Sequence, residues 1–181
     1  MARRYLVEEE ISIPEGVEVS LDGREFSVSG PLGRLERDFS HAPIDLKLDG
    51  NKVVVGVKWP DKRRAAMVGT VRSHIRNMVK GVQKGYTYKL KTVYAHFPVS
   101  VKVEGNKVII ENFGGERRSR SIMVDENVKV QVEGDDVIVR GLDLEKVSQA
   151  ASIIEHATRI KKKDPRVFLD GIYVYEKLEG M

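Results

Sequence analysis

The sequence predicts an α+β protein made of two similar tandem domains, each a small, mostly antiparallel sheet packed against one helix. Three observations carry the prediction. Two hairpin patterns recur in the same order in both halves of the chain. An amphipathic helical segment follows the second hairpin of each half. An Asp stands where the N-cap of each helix belongs.

The first hairpin match sets Val17–Gly30 (VEVSLDGREFSVSG) over Val99–Asn112 (VSVKVEGNKVIIEN) at an offset of 82, so that Val17, Val19 and Gly23 meet Val99, Val101 and Gly105. Both stretches alternate apolar and polar residues around an acid-Gly pair, which is the pattern of two strands joined by a two-residue turn. The second match sets Ile44–Val55 over Val128–Val139 at an offset of 84, with the same design. Next come the helices. Val68, Val71, Ile75, Met78, Val79 and Val82 recur at spacings of three and four, as do Leu144, Val147, Ala151, Ile154 and Thr158. Asp61 and Asp143 are the expected N-caps. A strand-like run follows each helix, from Gly85 and from Gly171. The unit thus reads hairpin, loop, hairpin, helix, strand. A hairpin pair with one apolar face needs a helix laid across it to close a core. The expected domains are residues 1–82, with an extended N-terminal arm, and residues 83–181. The strand at 85–93 fits either half.

Composition narrows the function. The 181 residues include no cysteine, which excludes thiolate metal sites, disulfides and thiol catalysis. No apolar run is long enough to span a bilayer, and the N-terminus lacks the apolar core of a secretory signal, so the cytoplasm is the expected compartment. High charge with only eight Asn and Gln is the balance that heat-loving organisms favour. The net charge of +4 is modest, but it is unevenly spread. Residues 61–91 hold nine Lys or Arg against one acid, and residues 159–166 hold five against one. Basic patches on an otherwise ordinary surface are a footprint of nucleic-acid binding.

No catalytic, metal or cofactor site is expected. His41, His74, His96 and His156 fall at no metal-ligand spacing, and no nucleophile elbow, Walker loop or dinucleotide fingerprint is present. A hydrolase working through His156 would need a convergent nucleophile and base, which the sequence does not offer. Gly30-Pro31-Leu32-Gly33 matches the G-x-x-G of the KH module, but that loop must join two helices. Between two strand patterns it reads as a turn. Its counterpart, Asn112–Ser121 (NFGGERRSRS), pairs Gly114-Gly115 with Arg117, Arg118 and Arg120. Such a tip is either a phosphate cradle or a solvated loop. Arg159, Lys161, Lys162, Lys163 and Arg166 form the second basic group. A helix C-terminus would accept one or two of these cations for its own dipole, and the rest exceed that need. A weaker group lies on the first helix: Lys62, Arg63 and Arg64 in its first turn, where cations oppose the dipole, and Arg72, Arg76 and Lys80 along one side. RNA or a neighbouring protein is their expected partner. Asp164-Pro165 is expected to end the second helix, and Tyr173 and Tyr175, on one face of the last strand, to pack in the core.

Three stretches carry a resemblance. GVEVSLDGREFSVSGPLGRLERDF, MVGTVRSHIRNMVKGVQKGY and KKKDPRVFLDGIYVYEK resemble the universal large-subunit ribosomal protein L6 family over about Ile13–Lys177. The last stretch is similar to the archaeal and eukaryotic branch, because the Gly-Lys-Gly loop that ends bacterial members is absent. The resemblance implies two duplicated α+β domains and a structural protein without catalytic activity. It further implies binding to large-subunit ribosomal RNA near the stalk base and sarcin-ricin loop, mostly through the second domain, beside neighbouring ribosomal proteins. Membrane and small-molecule partners are not expected.

Overall fold

The computed structural model describes residues 5–160, 164 and 167–181. The chain divides into two compact units between Lys84 and Gly85, two residues beyond the break placed from the sequence.

The first unit holds β1 (Leu6–Ser12), β2 (Glu18–Asp22), β3 (Glu25–Gly30), β4 (Gly33–Asp38), β5 (Asp45–Asp49), β6 (Lys52–Lys58) and α1 (Lys62–Gln83). Strands β2, β3 and β4 form one antiparallel meander, and a second sheet has the order β1-β6-β5. The second unit holds β7 (Tyr86–Val93), β8 (Ser100–Glu104), β9 (Lys107–Glu111), a 3-10 turn over Phe113–Gly115, β10 (Arg120–Met123), β11 (Val128–Glu133), β12 (Asp136–Gly141), α2 (Leu144–Ala157) and β13 (Gly171–Glu179). Its meander is β8-β9-β10, and its larger sheet runs β11-β12-β7-β13.

The duplication holds, but its frame shifts by one strand. β1 pairs antiparallel with β6, and β7 pairs antiparallel with β12 in the same way. Each repeat therefore begins with a strand that joins the sheet of its last hairpin, rather than ending with one after the helix. The strand at 85–93 is β7 and belongs to the second unit. β13 is an addition on the other side of β7. From Leu6 onward the extended N-terminal arm is β1, paired along its length to β6.

Four hairpins share one turn. The loop pairs are Gly23-Arg24, Gly50-Asn51, Gly105-Asn106 and Gly134-Asp135, one residue later than the acid-Gly reading placed them. Each glycine has φ between 56° and 63°, and no second residue has positive φ, as in a type II′ turn. The helices follow their pattern. The Asp61 carboxylate accepts the Arg64 N–H at 2.7 Å, and Asp143 accepts the Glu145 N–H at 2.9 Å. Val68, Val71, Ile75, Met78, Val79 and Val82 bury one face of α1 in a core with Phe26, Val28, Val53 and Val55. Val147, Ala151 and Ile154 of α2 do the same with Leu90, Val137, Val139 and Ile172.

The Gly-Pro-Leu-Gly turn joins β3 to β4, as its residues predict. Its first glycine has a packing reason. A Cβ on Gly30 would lie 2.9 Å from both the Cβ and the carbonyl oxygen of Val82, while Leu32 donates its N–H to that oxygen at 3.1 Å. The turn is seated on the end of α1. Gly30→Ala is expected to lower the unit's unfolding free energy by about 1–3 kcal/mol, the usual range for overpacking. Gly69→Ala, in mid-helix with open space around its Cα, is expected to raise it by about 1 kcal/mol. Urea denaturation of the two variants measures both signs.

Candidate nucleic-acid interface

The β9–β10 loop is built, not loose. Asn112 turns the chain through φ 57° and donates its side-chain amide to the Pro98 carbonyl at 3.0 Å. Phe113 is buried and anchors the loop in the second core. Gly114 and Gly115 have positive φ, and the Phe97 ring lies against Gly115, where a Cβ would approach it to 3.2 Å. The chain then emerges with Glu116, Arg117, Arg118 and Ser119 exposed. Neither Arg117 nor Arg118 has an ion-pair or hydrogen-bond partner for its side chain among the described residues.

Arg120 behaves differently from its two neighbours. Its guanidinium donates through Nη1 to the Ala157 carbonyl at 2.6 Å and through Nε to Glu116 at 2.9 Å, and it lies 4.5 Å from the centre of the Phe113 ring. Ala157 is the last residue of α2, so its carbonyl has no partner inside the helix. The arginine closes that end and ties the loop to it. The Glu116 carboxyl is held below its usual range by its hydrogen bond to Arg120. The loop and the helix end, 37 residues apart in the chain, thus become one surface.

The helix end has its own closure. Thr158 is buried, donates its hydroxyl to the Glu155 carbonyl at 3.0 Å and accepts the Ile172 N–H at 2.9 Å, which fixes where β13 starts. The helix therefore stops at Ala157, capped by Thr158, seven residues before the Asp164-Pro165 pair read as its terminator. Past the cap, Arg159 is exposed. Lys161, Lys162, Lys163 and Arg166 lie outside the described residues.

Between loop and helix end lies an open cavity of about 540 Å³, lined by Phe113, Glu116, Arg120, Arg159, Phe168 and Asp170 among others. A neighbouring hollow of about 520 Å³ is bordered by His156, Arg159, Phe168 and Tyr173. At the base, the buried Asp170 accepts the Ala95 N–H at 2.9 Å, with the His96 ring nitrogen 3.8 Å away. Tyr173 and Tyr175 are 43% and 52% exposed, so they do not pack in the core. Along the edge strand β13, Ile172 and Val174 turn to the core, and the two tyrosines share the opposite, exposed face. Tyr173 instead adds an aromatic ring beside Arg159. Phe113, Glu116, Phe168 and Tyr173 are parts of this surface that reasoning from charge passed over. The four-residue spacing of Glu116 and Arg120 was the available signal for their pairing.

In the first unit, Lys62, Arg63 and Arg64 are exposed on the first turn of α1, which contains no acid. Arg76 is exposed, while Arg72 lies 3.6 Å from Glu9 of β1 and Lys80 is half-buried. The three side residues therefore differ in what they can offer a partner. Among the described residues no group of His, Asp and Glu has the geometry to hold a metal ion, and no helix is long and apolar enough to cross a membrane.

Comparison with known proteins agrees with this architecture. The sequence matches the profile of the family described as Ribosomal protein L6 twice, over residues 13–85 and 97–171, one match to each repeat. It is 54% identical over 178 residues to the large ribosomal subunit protein uL6 of Aeropyrum pernix, covering 98% of both chains. Identity is 48% to uL6 of Desulfurococcus amylolyticus, over the whole of both chains, and 50% to uL6 of Staphylothermus marinus, over 93% of each. The chain is a member of the ribosomal protein L6 family.

Proposed function

We propose that this protein is a structural, non-catalytic component of the large ribosomal subunit that binds large-subunit ribosomal RNA in the region of the stalk base and the sarcin-ricin loop. The second unit makes the main contact. Arg117, Arg118 and Arg159, with Lys161, Lys162, Lys163 and Arg166, neutralise phosphates, and Arg120 positions them. Cations fixed on folded elements release counterions from the RNA while their geometry sets the register. A folded RNA offers shape, phosphates and 2′-hydroxyls more than base edges. The first unit's Arg72, Arg76 and Lys80 meet RNA or an adjacent ribosomal protein.

The observation that carries this reading is the hydrogen bond from Arg120 to the end of α2, which ties the loop of Arg117 and Arg118 to the helix end that leads into Arg159. The names of the relatives, all large ribosomal subunit proteins, support the assignment to the large subunit. The absence of cysteine makes a clean test available. Ser119→Cys, between Arg118 and Arg120 on the loop, carries a tethered iron chelate into reconstituted large subunits. Radical cleavage confined to the stalk-base and sarcin-ricin segments is the expected result. Cleavage elsewhere in the RNA, or none, overturns the placement.

A further inference from the structure

The first unit carries an exposed aromatic pair that its fold does not explain. Trp59, the sole tryptophan of the chain, follows β6 and donates its N–H to the Tyr5 carbonyl at 2.8 Å. The two rings meet edge to face with centres 4.4 Å apart. Both remain largely in solvent, Trp59 at 68% and Tyr5 at 55% exposure, and neither belongs to the unit's core. The backbone adds a second oddity. Trp59 has φ 50°, in the left-handed region where a bulky side chain is an outlier and where Gly or Asn sits without strain. Strain held at an exposed aromatic suggests a role outside folding.

The surroundings say what the ring meets. Lys58 precedes it, and Lys62, Arg63 and Arg64 follow within five residues, all exposed and none in an ion pair among the described residues. At about 3.3–3.6 Å per residue, the backbone of Lys62 lies within about 11 Å of that of Trp59. The one acid in the segment, Asp61, is occupied by the Arg64 N–H. A protein docking site depletes charge around its central aromatics. An exposed aromatic ring with cations close by in the chain is instead a pattern that holds an unpaired stretch of nucleic acid, the base stacking on the ring and the flanking phosphates meeting the cations.

We propose that Trp59, supported edge-on by Tyr5 and flanked by Lys58, Lys62, Arg63 and Arg64, is a second RNA contact that stacks one unpaired nucleobase. It lies in a different unit from the basic face described above and adds base stacking to what is otherwise phosphate recognition.

Because Trp59 is the only tryptophan, its fluorescence reports on this site alone. The full chain, carrying Arg117→Ala and Arg118→Ala to weaken the other face, is titrated at low salt with a ten-nucleotide single-stranded RNA and with an abasic strand of equal length. Saturable quenching by the first and not the second is expected. Anisotropy of the labelled RNA is expected to show affinity falling about tenfold or more in Trp59→Gly, with most of it kept in Trp59→Phe. Trp59→Gly suits the positive φ, so its melting midpoint should not fall, which separates lost stacking from lost fold. Three outcomes overturn the proposal: no quenching, equal quenching by the abasic strand, or emission that responds only to RNA-free large-subunit proteins. Each is independent of the cleavage pattern from Ser119→Cys.

Discussion

Alanine at position 120 is expected to destabilise the second unit by about 2 kcal/mol and to weaken RNA binding by more than the loss of one charge. The side chain gives one hydrogen bond to the Ala157 carbonyl, two to Glu116 and a cation–π contact to Phe113. Hydrogen bonds that involve a charged group contribute about 1.5–3 kcal/mol when part-buried, and their loss leaves a helix carbonyl and a carboxylate without their partner. Arg120 is 30% exposed, which keeps the figure at the lower end. For a unit of this size about 2 kcal/mol lowers the melting midpoint by roughly 10 °C, which calorimetry can measure. Arg120→Lys keeps the charge but lacks the planar fork that reaches Ala157 and Glu116 together, so it should recover less than half. The pH dependence has a definite sign. The Glu116 carboxyl is depressed in the folded state, so its contribution is present above the unfolded value and lost as pH falls through the folded one. The gap between wild type and Arg120→Ala should therefore narrow in acid and be widest near neutrality. RNA affinity falls with it because an undocked loop no longer holds Arg117 and Arg118 beside Arg159, and Glu116 is left uncompensated where phosphates approach.

The elements of the fold were legible because they are local. Alternation around Gly23, Gly50, Gly105 and Gly134 marks four hairpins, and spacings of three and four mark α1 and α2. Strand pairing is not local. Tyr86–Val93 carries the same alternating pattern wherever it sits, and only its register with β12 on one side and β13 on the other assigns it to the second unit. The same limit explains Tyr173 and Tyr175. Alternation shows that two residues share a face, but not which face of the strand is covered; Ile172 and Val174 take the core side and leave the tyrosines outside. Charge density along the chain marked two basic segments and treated their cations as equivalent. The structure separates them. Arg117 and Arg118 face solvent without partners, while Arg120 is bound to a carbonyl that lies 37 residues away. Trp59 escaped notice for a related reason, since its exposure and its left-handed backbone have no one-dimensional signature.

The salt dependence of RNA binding distinguishes cations that touch phosphate from the one that positions them. Each phosphate neutralised releases close to one counterion, so log K falls with log salt by about 0.9 per contact. At 0.1 M salt that term contributes about 0.9 decades per contact, and at 1 M it vanishes. Arg117→Ala with Arg118→Ala is therefore expected to weaken binding to a large-subunit RNA fragment by about 60-fold at 0.1 M and to flatten the slope by about two. Lys161→Ala, Lys162→Ala and Lys163→Ala together flatten it by about one for each lysine that contacts phosphate. An unchanged slope and affinity would remove those lysines from the interface. In both sets the deficit closes as salt approaches 1 M, because only the electrostatic term has been lost. Arg120→Ala should not follow that course. Its guanidinium is engaged with Ala157 and Glu116, so its removal costs loop geometry as well as charge, and part of its deficit should persist at 1 M. Filter binding of the three variants across a salt series reads all of this in one plot: convergence on wild type at about 1 M for arginines and lysines that meet phosphate, and a residual offset at about 1 M for the arginine that holds the loop against the helix.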